Sequence, residues 1–596
     1  MNWLKNIRPR IEGMIDSISR FPLTVAFLFA ITAMMSIMIE QESSDLQEWI
    51  VAAVIGVLVS GIVQMIVEQF STSNVVKIGL YLLSVAVAFV TYFIVRNYNL
   101  DYFPLIVRLG IITVALFIAF LWIPSIKGPH YFHETFLAGL KAFFLAGLYS
   151  IVIGLGANLL LVAIDQLLVN LSYKVNLHVL VINFCLIAPL FFLSFIPVYG
   201  VARKNRDEAQ VLEMEDARNE SLTAPKSLVI LLTYIVIPLI AIYTVILVMY
   251  FALNIRQRFW MDTMLEPLLM SYALTGLFVY LLVCNIDNQM ARVFRKVFPK
   301  VMAIVMAFQL FSSFMKMQEV GLTHARYFVL LTVVATMIAG IIFSIYSVEK
   351  SGWLAVIILG ASVIAVTPPV DGFTIARGYH QRQIEQVLQS NNMLQEGEVV
   401  PNADVSKNDR ERMTRNVSYL ESIGGLDDVS GIDDTHLYGE NFNELFGFPR
   451  ENFVRDDAPM ESEYVSTEIG EGLAFDVSDV DYLVEWYDYS SDRSTNQRRV
   501  DFEVDDAEYT MHTRKEDEET FLEILNVADE VIYSTNLMEQ YNAVLTQGAK
   551  TSNSVSVSDA TFEESDDKAT VRIVYRNISL YEGEYSAEMY IMVTIN

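Results

Sequence analysis

Runs of about twenty apolar residues recur through the first 370 positions, and each is long enough to cross the roughly 30 Å hydrocarbon core of a bilayer as a helix. Eleven such runs fall at about 21–39, 49–67, 78–95, 103–123, 136–164, 178–200, 228–252, 264–284, 300–318, 326–347 and 353–370. In hydrocarbon every backbone N–H and C=O must be satisfied within the fold. Continuous runs such as Leu228–Ala252 achieve this as helices, whereas barrel strands would alternate with period two. The sequence therefore predicts an α-helical transmembrane bundle of about eleven spans. The lead-in to the first run is about twenty residues long, mixed in charge, and no Ala-x-Ala site follows. It reads as a retained anchor, not a cleaved signal.

Charge is segregated from this apolar half. The 596-residue chain is 53% hydrophobic yet has a formal net charge of −28. Residues 371–596 hold 48 Asp and Glu against 17 Lys and Arg, a net of −31, while residues 1–370 hold 21 acids and 24 bases, a net of +3. One half suits lipid and the other water. That division excludes a purely soluble protein, a coiled coil, a disordered chain and a disulfide scaffold. It also argues against nucleic acid as a partner, because binding a polyanion needs a basic face. Cys185 and Cys284 lie in or beside apolar runs, outside any disulfide pattern.

Basic residues near the helix ends set the expected orientation. Lys5, Arg8, Arg10 and Arg20 precede the first span; Arg203, Lys204, Arg206, Arg218 and Lys226 occupy the polar loop 201–227; Arg292, Arg295, Lys296 and Lys300 follow the eighth span. With eleven spans all three groups share one side, expected to be cytoplasmic. The opposite loops carry only Arg96, Lys174, Arg256, Arg258 and Arg326, and the first of them, Glu40 to Glu48, is acidic. An odd span count then places the acidic C-terminal part outside the cytoplasm. The 201–227 loop divides the helices six plus five, without an internal repeat of the transporter kind.

Ionisable residues within spans are costly and are candidate sites by default. Arg108, Lys141 and Glu266 are the intramembrane polar candidates. Each lies within two turns of a helix end, where a long side chain can also snorkel to the headgroups. Arg108 and Glu266 start from the same side, so a pair between them is allowed. Pro22, Pro104, Pro189, Pro197, Pro238 and Pro267 are expected to kink helices or shape cavities. Gly139, Gly147, Gly154 and Gly156 permit close helix packing. His130, His133 and Glu134 form a weak metal candidate in neither zinc-protease order, and a solvated interfacial loop is the favoured alternative.

The acidic part reads as a folded α+β domain, since it has aromatic and β-branched residues enough for a core. Amphipathic helices are expected at 379–395 and 406–423, with a short one at Glu440–Phe446. Strands are expected at 481–489, 499–503 and 508–513, then a helix over 519–546, then a hairpin of 569–579 and 584–595. The clusters Asp433-Asp434, Asp456-Asp457, Asp505-Asp506 and Glu516 to Glu519 lack calcium-loop spacing. His380, His436 and His512 are isolated from one another, and no catalytic motif or cofactor signature is found.

Several short motifs in order carry a family resemblance. They are Arg20-Phe21-Pro22 opening the first span, Ala163-Ile164-Asp165-Gln166 after the fifth, and Gly321-Leu322-Thr323-His324-Ala325-Arg326-Tyr327 before the tenth, with Pro368-Pro369 and Tyr438-Gly439-x-x-Phe442-x-x-Leu445-Phe446-Gly447 further on. From about residue 18 into the 440s the chain resembles the bacterial membrane proteins catalogued as domain of unknown function 4153. Departures are His324, where such proteins usually carry an acid, and the Trp260 segment, which lacks the expected Pro and Gly. The resemblance implies a bacterial origin and this topology; it supplies no substrate.

The expected organisation is a cytoplasmic segment 1–20, a membrane domain 21–370, a helical membrane-proximal segment 371–450 and an acidic α+β domain 451–596. The favoured function is a multi-pass protein of the cell envelope whose partners are the lipid bilayer and an envelope protein or ligand bound or sensed by the outer domain. The alternative is a secondary transporter using Arg108 and Glu266.

Overall fold

The computed structural model describes residues 13–70, 73–98, 100, 102–169, 171–199, 215–216, 218–254, 265–395, 397–426, 429, 431–432, 440–451, 462–467, 477–489, 499–505, 507–516, 519–548, 554–581 and 584–596. Lys5, Arg8, Arg10, Arg203 to Glu208, Arg256, Arg258, Trp260, Asp433-Asp434, His436, Tyr438-Gly439, Asp456-Asp457, Asp506 and Asp517-Glu518 lie outside the described residues. Among the described residues, eleven helices are long and apolar enough to cross a membrane, as expected. They are α1 (Pro22–Gln41), α2 (Gln47–Phe70), α3 (Asn74–Tyr98), α4 (Phe103–Trp122), α5 (Phe132–Leu167), α6 (Tyr173–Phe195), α7 (Lys226–Asn254), α8 (Leu265–Val283), α9 (Gln289–Val320), α10 (His324–Ile345) and α11 (Gly352–Val366). The chain divides into two compact units, Met1–Arg382 with Tyr419–Asp428, and Gln383–Ser418 with Val429–Asn596.

Local chemistry accounts for the helix boundaries of the first unit. Pro22 opens α1, where its missing N–H costs nothing. Asn288 caps α9 by accepting from Ala291 N–H, and Thr323 caps α10 by accepting from Arg326 N–H. Between α9 and α10, Gly321 takes φ +97°, a conformation that L side chains rarely adopt. Helices α6 and α7 each widen into a π-helical turn, Ile182–Ile187 and Leu232–Val236, directly before an Ala188-Pro189 or Ile237-Pro238 step. A proline ring clashes with the carbonyl four residues back and offers no N–H, and the wider turn relieves both. The core of the bundle is aliphatic and aromatic, including Phe21, Leu137, Leu269, Tyr280 and Met306. Its outer surface is apolar too: Leu82, Phe144, Leu159 and Tyr234 are all more than half exposed. A surface of that kind suits hydrocarbon, not water.

In the second unit, α12 (Gly372–Ser390) and α13 (Lys407–Ile423) each begin or end across the division, and a short hairpin of β1 (Leu394–Gln395) and β2 (Glu398–Val399) is followed by α14 (Glu440–Phe446). Phe442, Phe446 and Phe448 are buried together, with Arg450 over the Phe442 ring and Gly447 ending α14 at φ +82°. Two sheets follow. One is six-stranded in the order β4 (Tyr482–Tyr489), β12 (Glu584–Ile595), β11 (Ala569–Tyr581), β3 (Ser462–Thr467), β9 (Ser554–Val555), with β10 (Thr561–Ser565) also on β11. The other is a meander of β5 (Arg499–Val504), β6 (Ala507–Glu516), β7 (Glu519–Asn526) and β8 (Val531–Asn536). Trp486, Met511, Leu522, Ile524, Tyr575 and Ile591 form their common core with α15 (Leu537–Gly548).

The helix expected over 519–546 is corrected: its first part is the hairpin β7–β8, and only Leu537–Gly548 is helical. Residues 519–526 pair in antiparallel register with both β6 and β8, which only a strand can do, and Thr520, Leu522 and Ile524 share one buried face. Asn526 closes the turn by accepting from Ala528 N–H and Glu530 N–H, with Asp529 at φ +57°.

Close approach of α9 and α10 rests on Gly340, where a Cβ would stand 2.9 Å from the Pro299 carbonyl oxygen. Because that neighbour is backbone, Gly340→Ala must part the two helices, and a loss of about 1–3 kcal/mol is expected. At Gly110 a Cβ meets nothing within 4 Å, so Gly110→Ala should be neutral or stabilising by up to ~1 kcal/mol through helix propensity. Thermal unfolding of the two purified variants in one detergent checks the opposite signs.

Candidate functional site

Polar and aromatic side chains meet where α4 begins, α9 turns into α10 and α11 turns into α12. Asp371 is fully buried there. Its Oδ1 accepts from Phe373 N–H at 3.1 Å and Thr374 N–H at 3.2 Å, its Oδ2 accepts from the Thr374 hydroxyl at 2.6 Å, and Arg108 Nη2 donates to Oδ1 at 2.7 Å. Burial pushes the Asp371 pKa up, but the bonds from Thr374 and Arg108 outweigh it and hold the carboxyl below its ordinary value. The Arg108 guanidinium also lies over the Phe373 ring.

The Gly321 to Tyr327 motif supplies the other wall. His324 stacks on Phe373 at 4.8 Å, and its backbone N–H donates to the Tyr419 hydroxyl at 2.8 Å. That hydroxyl also lies within hydrogen-bonding distance of His324 Nδ1, at 2.9 Å. His380 stacks on Tyr419 at 4.0 Å and donates from Nε2 to the Leu322 carbonyl. Arg326 donates to the Gly321 carbonyl at 2.8 Å, and the Tyr327 hydroxyl donates to the Val370 carbonyl. Arg377 joins Tyr102 to the Gly424 carbonyl. The arrangement locks three helix corners together through hydrogen bonds and stacked rings.

Arg108 and Glu266, free to pair on sequence grounds, take different partners. Glu266 lies 3.9 Å from Lys316 and accepts from the Ser313 hydroxyl at 3.0 Å; Gln309 donates to that same hydroxyl at 3.0 Å. Gln309, Ser313 and Lys316 occupy one face of α9 and are all buried. Lys141 instead caps a chain turn, donating to the carbonyls of Glu220, Ser221 and Thr223. At the end where α1 starts and α2 and α6 finish, Arg20 holds Glu68 through two 2.8 Å bonds and also donates to the Ile196 and Pro197 carbonyls. Phe21 beside it is buried, and burial pushes the nearby Tyr199 phenol up. Asp165 accepts from Leu171 N–H at 2.7 Å and closes the α5–α6 turn.

His130, His133 and Glu134 do not converge on one point. His130 faces Glu134 at 3.7 Å, Glu134 accepts from Tyr131 N–H, and His133 Nδ1 is 2.9 Å from the Ser351 hydroxyl. Among the described residues no three His, Cys, Asp or Glu side chains gather as a metal site. The partners that sequence reasoning missed are Asp371, Glu68 and Ser351, each far from its counterpart along the chain. Glu68 stands immediately after the 49–67 run, a position where an acid is ordinary, so no local signal exposed it.

Breaking the Arg108–Asp371 pair leaves one charge buried without its partner. Arg108 is partly exposed, so Asp371→Asn or Arg108→Met should each cost ~2–3 kcal/mol, and the double variant less than their sum. The depressed Asp371 pKa makes the pair's contribution complete above the ordinary Asp value of 3.8 and lost as pH falls through the lower folded value. Melting temperature from pH 7 to pH 3 checks this: the acid-side decline should be shallower in Asp371→Asn.

The family model described as Domain of unknown function (DUF4153) matches residues 23–394. The match starts just after Pro22, takes in Asp165, the Gly321 to Tyr327 motif and Asp371, and ends short of the Phe442 segment. No curated protein matches, and no solved structure matches. With more than half of its length covered, the chain belongs to the family of proteins that contain this domain of unknown function 4153.

Proposed function

We propose that this is an integral protein of the bacterial cell membrane with a cytoplasmic N-terminus, whose acidic, sheet-rich C-terminal domain lies outside the cytoplasm and binds or senses an envelope component or partner. One observation carries the reading: eleven candidate spans combined with the segregation of charge. Arg20, Lys226, Arg292, Arg295 and Lys300 lie toward the starts of α1, α7 and α9, which with an odd span count supports a position for residue 371 and beyond on the side opposite to them. A net of −31 over residues 371–596 favours a cationic partner or one bridged by divalent cations.

Labelling with a membrane-impermeant maleimide tests the orientation. Cys284 is buried and its thiol is pushed up to about 12 by burial, so it stays unreactive; Cys185 is replaced by Ala. On intact cells Ser558→Cys, an exposed position of the sheet-rich unit, should label, and Asp287→Cys, in the α8–α9 turn, should not. The reverse pattern sinks the orientation.

A secondary transporter is the second reading, favoured by one observation: buried Gln309, Ser313 and Lys316 meeting the partly buried Glu266. Polar groups so placed are costly unless used. Transport predicts that Glu266→Gln abolishes proton- or solute-linked flux in proteoliposomes while removal of residues 451–596 leaves it intact. A binding role predicts that the deletion alone produces the phenotype.

A further inference from the structure

Helix α9 is 32 residues long, about 48 Å, and so exceeds the roughly 30 Å hydrocarbon core by about three turns. Its residues 289–300 include Arg292, Arg295, Lys296 and Lys300 and no acid. Arg295 marks their depth. It donates to the carbonyls of Val283, Cys284 and Ile286, at the end of the 19-residue span α8, so this part of α9 straddles the edge of the hydrocarbon. Arg292, Lys296 and Lys300 are exposed instead, and at a spacing of four they form one row that runs about 12 Å along the helix surface. Arg292 lies 3.8 Å from the exposed Asp287, whereas Lys296 and Lys300 have no ion-pair or hydrogen-bond partner among the described residues.

Beside this row an apolar groove of about 610 Å³ runs between α7 and α9. Val293, Val297 and Val301 line it, and each follows a cation of the row by one position, about 100° around the helix axis. The row therefore stands along the α9 edge of the groove. Ile237, Ile240 and Ala241 form the α7 wall, and Asn288 Nδ2 donates to the Thr233 hydroxyl at 2.8 Å, which ties the two walls together. Within the groove the hydroxyls of Thr244 and Tyr272 bond each other at 2.9 Å, so the lining suits an apolar chain. Orientation alone asks for bases near a helix end on any face. Here the base on another face is bonded to carbonyls, and the three exposed ones border the groove. Such a surface matches an occupant that joins a hydrocarbon chain to a negative charge at head-group depth. We propose that the flank of α7 and α9 binds an anionic phospholipid of the bilayer, with an acyl chain along the groove and the head-group phosphate against Arg292, Lys296 and Lys300. This rests on the reading of the apolar helices as membrane spans.

Photolabelling of the full-length protein in phosphatidylcholine vesicles tests this with two probes that carry the same diazirine acyl chain, phosphatidylglycerol and phosphatidylcholine. The phosphatidylglycerol probe should label Ile237 to Thr244 and Met290 to Val301 in preference to the other probe. Each of Arg292→Gln, Lys296→Gln and Lys300→Gln should lower that preference about fivefold, at an unchanged melting temperature because the three side chains are exposed. Lys77→Gln, an exposed base on α3, is the control of equal charge and should leave the preference intact. Ala241→Phe fills the groove and should weaken labelling of both walls. Soluble glycerol phosphate should not compete. Equal labelling of the groove by the two probes, a preference that survives loss of the row, a loss as large in Lys77→Gln, labelling unchanged in Ala241→Phe, or competition by glycerol phosphate would each overturn the proposal while the membrane reading stands. No labelling by either probe would overturn both.

Discussion

Everything in the first unit follows from the need to satisfy backbone polar groups where water is scarce. Helices do this internally except at their ends, where the last carbonyls are left over. The chain answers by recruiting cations to main-chain oxygens. Arg20 reaches Ile196 and Pro197, Lys141 reaches Glu220 to Thr223, Arg295 reaches Val283, Cys284 and Ile286, and Arg326 reaches Gly321. Positive charge also favours the negative end of the helix dipole. These residues therefore act as fasteners between segments, and their presence near a helix end is not by itself a sign of a transport path.

The Arg108–Asp371 corner extends the same logic to side chains. Asp371 first caps α12 with its own oxygens and then takes Arg108, so one carboxylate both starts a helix and ties it to α4. The family-like Gly321 to Tyr327 motif faces this corner through stacked rings. His324 is held by Phe373 and Tyr419.

Much of the architecture was legible because its signals are local. Twenty-residue apolar runs give spans, and Gly424-Gly425 and Gly447-x-Pro449 mark where helices stop. The pairs were not legible, because Arg108 and Asp371 are separated by 263 positions and nothing in either segment names the other. The misread stretch from Glu519 has a different cause. Phe521, Leu522, Ile524 and Leu525 satisfy a helical period and a strand period alike, and the deciding feature is the Asn526 turn, whose hydrogen bonds become visible only in the folded hairpin.

The π-helical turns of α6 and α7 have a geometric consequence. One additional residue in a turn rotates everything after it by about 100° around the helix axis relative to a regular continuation. A single helix thus changes the side it offers to its neighbours halfway along. In α6 Asn183, within the wide turn, bonds α5, while Phe192, nine positions later, meets Phe117 and Phe120 of α4. Two adjoining helices are served in succession by one rod.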